Sequence, residues 1–182
     1  MANVWHDVSS GDNMPDEVNV IVEIPMGSQN KYEIDKDSGI LKLDRVLFSP
    51  FHYPGDYGFI PQTLGDDNDP LDGLVLVNFP TYPMTLIASR PVGVLRMVDG
   101  GEGDEKILCV PVDDVRFSDM KDLADVRQAV RDEIAHFFEV YKQLEKKKVE
   151  INGWGDAAEA KKIIQEGVNR YSEKFKSGTA QA

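Results

Sequence analysis

The spacing of apolar residues changes partway along the chain, and this change constrains the fold more than any other feature. Up to about residue 112, short apolar runs that are typical of β-strands alternate with turn residues. These runs are VNVIVEIP, NKYEI, GILKLDRVLF, LVLVNF, MTLIASRPVGVLRMV and KILCVPV. The turn DKDSG, which ends at Gly39, predicts a hairpin between the second and third runs.

After residue 122 the apolar residues recur every three or four positions, which is the spacing of amphipathic helices. We expect one helix from Asp122 to Lys148 and a second after NGWG, where Asp156 and Glu159 form a capping-box pair. Strands followed by two helices predict an α+β domain, mainly β, with helices beside a closed or nearly closed barrel. The 182 residues suit one domain over 1–182, with a polar, loosely held N-terminal segment (1–16) and a flexible tail (177–182).

The overall charge and the cysteine content exclude several classes of partner. A formal net charge of −12 repels phosphate backbones and anionic lipid heads, so neither nucleic acid nor a membrane is an expected partner. The single cysteine, Cys109, lies in an apolar run and is expected to be a small buried hydrophobe. Since the first thirty residues hold no signal-like apolar stretch, we expect a cytoplasmic protein.

The stretch TLGDDNDPLDGLV concentrates four aspartates, namely Asp66, Asp67, Asp69 and Asp72. Residues two apart in an extended chain share a face, so Asp67 and Asp69 project together, and Pro70 stiffens the chain before Asp72. Two unit charges about 4 Å apart repel by about 4 kcal/mol at an effective dielectric of about 20, so convergent carboxylates need cations. A solvated acidic turn is the ordinary alternative.

The identity of a cation at this stretch is constrained by the ligand pattern. A calcium-binding EF-hand loop does not fit, because Leu71 and Asn78 fall where that loop needs ligands. Carboxylate oxygens in an open loop suit Mg²⁺, which keeps several waters and bridges carboxylates to substrate phosphates.

A second acidic turn, VDGGEGDEK, carries Asp99 and Asp104 across a glycine-rich bend, with Lys106 directly after it. Taken alone it is typical of an ordinary hairpin. Together with the first cluster it would supply ligands for more than one divalent ion.

Other charged and aromatic residues interrupt the strand and helix patterns and could face an anion. Each also has an ordinary interpretation, as a solvated strand position or as core packing. These residues are Glu23, Lys31, Glu33, Arg45, Tyr53, Tyr57, Tyr141 and Lys142.

Taken together and in this order, these residues resemble the soluble family I inorganic pyrophosphatases of prokaryotic type. DDNDPLD fits that family's Asp-x-Asp-Pro-x-Asp signature, and the likeness extends through VIVEIP, KYEIDKDSG, YPGDYGFIP, RPVGVL, AHFFEVYKQLE and GW. The resemblance implies a five-stranded closed barrel of OB type with additional strands and two flanking helices. It further implies that pyrophosphate, entering as its Mg²⁺ complex, is hydrolysed to two phosphates by direct attack of a metal-activated water. Several Mg²⁺ ions and a homohexamer built as a dimer of trimers are also implied.

The resemblance also assigns a role to each candidate residue. Asp69 is the implied general base, and the implied metal ligands are Asp67, Asp72, Asp99 and Asp104, with Glu23 acting through water at the rim. Implied phosphate-binding residues are Lys31, Arg45, Tyr57, Tyr141 and Lys142, and those in support are Glu33, Tyr53 and Lys106. The competing hypothesis is a non-catalytic OB-type module that binds divalent cations or a partner.

Overall fold

A computed structural model describes residues 3–36 and 38–176. The described helices are α1 (Val4–Asp7), α2 (Gln128–Val140) and α3 (Ala157–Tyr171). The described strands are β1 (Val18–Ile24), β2 (Asn30–Ile34), β3 (Leu41–Val46), β4 (Asp56–Phe59), β5 (Asp72–Val75), β6 (Leu86–Asp99), β7 (Glu102–Gly103), β8 (Lys106–Pro111) and β9 (Val149–Gly155).

Five of these strands close into a ring. β1 pairs antiparallel with both β4 and β6, and β4 pairs antiparallel with β5. β8 closes the ring, because it pairs parallel with β5 and antiparallel with β6. A closed ring leaves no strand edge unpaired, which confirms the predicted barrel. β7 and β9 extend from β6, while β2 and β3 form the predicted separate hairpin, in which Gly39 has a φ of 69°.

Apolar side chains fill both sides of the barrel wall, which explains why several strands read as nearly continuous apolar runs. On one face of the wall, a cluster that includes Ile24 and Leu108 contacts Phe138 of α2. On the other face, a second cluster that includes Val20 contacts Ile164 of α3. Each helix therefore buries its apolar stripe against the strands.

The first long helix is much shorter than predicted. The sequence pattern indicated a helix from Asp122 to Lys148, but α2 covers only Gln128–Val140. A capping box between Asp122 and Asp125 closes a separate short 3₁₀ turn before it, and Lys146, at φ 58°, ends another 3₁₀ turn after it. α3 begins where predicted, and the Asp156 side chain accepts a hydrogen bond of 2.9 Å from the Glu159 amide, which is one half of the predicted capping box; the Glu159 side chain instead contacts Arg96.

The strand predictions were also incomplete. β4 lies within the aromatic run YPGDYGFIP, and β9 follows the end of the predicted first helix; neither was expected as a strand. Both strands carry glycine and charged residues, so their apolar alternation is weak. Their strand conformation follows instead from pairing, of β4 with β1 and β5 and of β9 with β6.

The described part of the N-terminal segment is held more firmly than expected. Trp5 of α1 is buried, and its Nε1 donates a hydrogen bond of 3.0 Å to the Thr63 carbonyl. The expectation was wrong for these residues because one large aromatic ring supplies enough apolar area to hold a polar segment. The predicted tail, 177–182, lies outside the described residues. Within 3–36 and 38–176 we find no helix with the length and apolarity needed to cross a membrane.

Candidate active site

Most of the predicted site residues line one cavity of about 620 Å³ at the end of the barrel. β1 and β2 contribute three charged residues, β4 and the end of α2 contribute tyrosines, and the loops around β5, β6 and β8 contribute the aspartates. The predicted residues that line the cavity are Glu23, Lys31, Glu33, Tyr57, Asp67, Asp69, Asp72, Asp99, Asp104, Lys106, Tyr141 and Lys142. Chain segments far apart in sequence therefore meet at one place.

The stretch 63–72, which we call the acidic loop, is closed by its own hydrogen bonds. The Ile60 amide donates to the Leu71 carbonyl at 2.9 Å, and the Asp69 amide donates to Asp67 Oδ1 at 3.0 Å. Asn68 takes a left-handed conformation (φ 67°), which asparagine tolerates. Burial raises the pKa of Asp67, and the neighbouring charge of Asp69 raises it further. The loop thus holds carboxylates in a setting that disfavours unneutralised charge.

Lysine side chains neutralise the carboxylates across the cavity. Lys106 contacts both Asp72 and Asp104, Lys142 contacts Asp99, and Lys36 contacts Asp69. In the part of the chain that the structure describes, no three His, Cys, Asp or Glu side chains are close enough together to hold a metal ion. The predicted ligands share the cavity, but the described residues do not converge directly on one point; Asp69, Asp72, Asp99 and Asp104 each contact an ammonium group, and Asp67 accepts from the Asp69 amide.

Glu23 shows most clearly that the site favours added positive charge. Its Oε1 accepts a hydrogen bond of 2.7 Å from the Ile34 amide, yet burial raises its pKa to about 8, and repulsion from Asp72 contributes. Eight carboxylate side chains line the cavity, and this hard donor set, together with the raised pKa values of Glu23 and Asp67, fits a small, hard divalent cation. The donor chemistry therefore suits a hard divalent cation, and the side chains of Glu23, Asp67, Asp72, Asp99 and Asp104 would have to move closer together to hold it.

Two tyrosines and two lysines supply hydrogen-bond donors on the cavity wall. Burial raises the pKa of both Tyr57 and Tyr141, so the two phenols stay neutral and able to donate near neutral pH. Burial alone would lower the pKa of Lys142, but Tyr141 and Asp99 outweigh it and raise the value. Lys31 contacts Glu33 and lies 3.5 Å from Asp44. Lys142 therefore remains cationic beside Asp99.

Two predicted residues do not line this cavity. Tyr53 is buried in the core, 5.3 Å from the Tyr57 ring and 5.0 Å from the Phe137 ring between centroids. Arg45 contacts Asp44 and donates from Nε to Glu145 at 2.8 Å, while its Nη2 is buried without a partner among the described residues. Tyr53 thus packs from within the core against Tyr57, which lines the cavity, and Arg45 lies outside the cavity lining.

The structure adds residues that the sequence did not single out. Asp35, Lys36 and Lys42 of the β2–β3 hairpin line the cavity, as do Asn3 and Trp5 from the N-terminal segment. The signal for the hairpin residues was present in KYEIDKDSG, where charges continue past the strand. The N-terminal contribution had no local signal, since Trp5 meets the acidic loop 58 residues away.

Comparison with known proteins decides the family. A family model described as Inorganic pyrophosphatase matches residues 20–172. The chain belongs to the inorganic pyrophosphatase family. The earlier resemblance is therefore confirmed, and so is the barrel fold that it implied.

Members of the inorganic pyrophosphatase family from distant organisms match nearly the whole chain. An inorganic pyrophosphatase of Synechocystis is 53% identical over 85% of this chain and 91% of its own length. One from Haloferax volcanii is 49% identical over 96% of this chain and 99% of its own length. The crystal structure of the Thermus thermophilus inorganic pyrophosphatase superposes with a TM-score of 0.91 at 45% identity, covering 94% of this chain and 99% of that one.

Proposed function

We propose that this protein hydrolyses inorganic pyrophosphate to two orthophosphates with the help of Mg²⁺. The observation that carries the proposal is the shared cavity, in which the acidic loop, the turn with Asp99 and Asp104, and a set of lysines and tyrosines face one another. The family and the names of the similar proteins support the same reaction.

The substrate and the protein both carry negative charge, which makes added cations necessary. The chain has a formal charge of −12, and the cavity wall carries seven predicted carboxylates, so a free polyanion would be repelled. When bound, Mg²⁺ supplies the positive charge that offsets both sets of anions and lowers the pKa of the attacking water. We therefore propose pyrophosphate with Mg²⁺ attached as the form that enters the site.

The chain's own residues then divide the remaining work. Asp69 accepts a proton from the water whose oxygen forms the new bond to phosphorus, while the bridging P–O bond breaks and releases the second phosphate. Lys31 and Lys142 bind phosphate oxygens as fixed cations, and Tyr57 and Tyr141 donate hydrogen bonds to them. Lys106 keeps Asp72 and Asp104 in place.

The test is phosphate release from pyrophosphate, with and without Mg²⁺, for the wild type, Asp69→Asn and the matched control Asp66→Asn. We expect Asp69→Asn to keep its fold and to lose about 10² to 10⁴ in turnover, the usual scale for a lost general base. Asp66, an acidic neighbour outside the cavity lining, should tolerate the same change. No phosphate release by the wild type would favour the non-catalytic module, and full turnover in Asp69→Asn would remove Asp69 from its role.

We further propose one catalytic domain, a cytoplasmic location and a homohexameric assembly. Exposed apolar side chains at Phe79, Tyr82 and Val115 support association, since a monomer would leave them in water. Sedimentation of the purified protein measures the assembly directly, and a monomer at working concentration would contradict it.

A further inference from the structure

The base of the acidic loop is fixed by a single buried side chain. Thr63 Oγ1 donates to the Ile60 carbonyl at 2.6 Å and accepts from the Leu71 amide at 2.9 Å. Both ends of the loop are thereby tied together at the barrel wall. Its outer part, which carries Asp67 and Asp69, needs a different restraint.

That restraint comes from α3, which binds both backbone groups of Leu64. The Leu64 amide donates to the Gly167 carbonyl at 3.0 Å, and Arg170 Nε donates to the Leu64 carbonyl at 2.8 Å. Gly167 allows this approach, because a Cβ there would lie 2.6 Å from Leu71 Cδ1. One turn of α3 therefore holds the loop from outside the cavity.

The Leu64 carbonyl and the Gly65 amide belong to the same peptide unit, which is planar and rotates as one body. Arg170 binds the carbonyl side of this unit, while the amide side donates to the Asp69 carbonyl at 2.7 Å. The guanidinium and the Asp69 backbone are thus joined through one rigid plane. Turning that plane would move the Asp69 backbone within the site.

We infer that Arg170 is a positioning residue for Asp69, acting from outside the cavity through the Leu64–Gly65 peptide. The inference rests on the proposed function only in giving Asp69 its role as the base. Arg170 Nη1 also lies 3.6 Å from Asp66 Oδ1, but both side chains are substantially exposed and such a pair contributes little. The neutral backbone contact at Nε is the one that matters.

The experiment replaces Arg170 by methionine, which keeps an unbranched stem and similar helix propensity but removes the donor. Two variants serve as controls. Lys162→Met makes a comparable change on the same helix, at a side chain that is 75% exposed and pairs with Glu166. Asp66→Asn removes the ion pair of Arg170 while leaving Nε in place.

Two readouts are compared, the first being kinetic. We expect Arg170→Met to lower kcat by about tenfold or more with little change in KM, since misplacing a reacting group by about 1 Å can cost about 100-fold. The second is amide hydrogen exchange, in which the Gly65 amide should exchange faster while the Leu71 amide, bound to Thr63, keeps its protection. Both control variants should behave as the wild type does.

The inference is overturned if Arg170→Met leaves kcat and Gly65 exchange unchanged, or if Asp66→Asn reproduces its effects. It is also overturned if amide exchange rises equally at Gly65 and Leu71, because an equal rise indicates that the whole acidic loop has loosened rather than the Leu64–Gly65 peptide alone. Should Arg170→Met fold poorly, Arg170→Leu gives the same comparison, because leucine also lacks a donor and has high helix propensity. A wild type without pyrophosphate hydrolysis would end the proposed function, yet the exchange comparison would still test the coupling.

Discussion

Lys106 donates from Nζ to Oδ2 of Asp72 across 2.5 Å, joining the paired starts of β8 and β5. The same ammonium contacts Asp104, and the Lys106 side chain is only 3% exposed. Burial alone would lower the pKa of Lys106, but Asp72 and Asp104 outweigh it and raise the value. A permanently charged lysine thus holds two candidate metal ligands at the floor of the cavity.

Lys106→Met should destabilise the metal-free protein strongly. Removing one partner of a buried ion pair leaves the others unpaired, which costs about 3 kcal/mol or more. Because the folded pKa of Lys106 is raised, its stabilisation is fully present below about pH 10.4, the unfolded value, and is lost only as the pH rises through the folded value. The contribution of the ammonium charge itself should therefore not change from mildly acidic to mildly alkaline pH, while the cost of leaving Asp104 unpaired should fall as the pH drops, because burial raises the pKa of that carboxyl.

Urea denaturation in EDTA measures this free energy of unfolding. The matched control is Lys148→Met, since Lys148 is 83% exposed and its pair with Glu150 should contribute little. Equal unfolding midpoints for the two variants would contradict the role given to Lys106.

Adding Mg²⁺ should raise the thermal stability of the wild type, because the ion binds the folded carboxylates and relieves their repulsion. A ligand at about 100 times its Kd stabilises the folded state by about 2.7 kcal/mol, and the effect grows with concentration. Melting curves across a Mg²⁺ series, with NaCl at equal ionic strength as the control, measure the shift. A melting temperature that changes with neither Mg²⁺ nor EDTA would count against the metal site.

Asp56→Ala should cost about 3 kcal/mol, because several buried donors would lose one shared acceptor. Asp56 is fully buried and accepts hydrogen bonds from the Met26 amide at 2.8 Å, the Thr81 amide at 2.9 Å and Thr81 Oγ1 at 2.7 Å. The exposed Asp113 provides the control, Asp113→Ala, which should stay near wild type. Equal free energies of unfolding for the two variants would refute the stabilising role given to the Asp56 carboxylate.

Asp56 also shows where sequence reasoning reached its limit. Nothing local in YPGDYGFIP marks it as a buried acceptor, because its partners Met26 and Thr81 lie 30 and 25 residues away. Arg45 gives a second case, since Glu145, which faces it, is 100 residues distant. Contacts of this kind depend on the closed barrel, and one sequence does not reveal them.

Features with a local cause were predictable. The hairpin at Gly39, the N-cap at Asp156 and the acidic loop each follow from a few adjacent residues. The first helix was overextended because its apolar spacing continues past Val140, whereas the chain turns at Lys146 before β9 pairs with β6 from Val149 onwards. Tertiary pairing overrode local periodicity at that point.

Cys109 should resist alkylation in the folded protein. It is buried in β8, and burial raises the pKa of its thiol well above the ordinary range, so thiolate is scarce and reagents lack access. Labelling with a thiol reagent, followed by mass spectrometry, should show slow reaction in buffer and rapid reaction in denaturant. A Lys162→Cys variant supplies an exposed thiol as the positive control in the same sample. Comparable labelling of both thiols in the folded state would show that β8 opens readily, and would contradict the closed barrel around it.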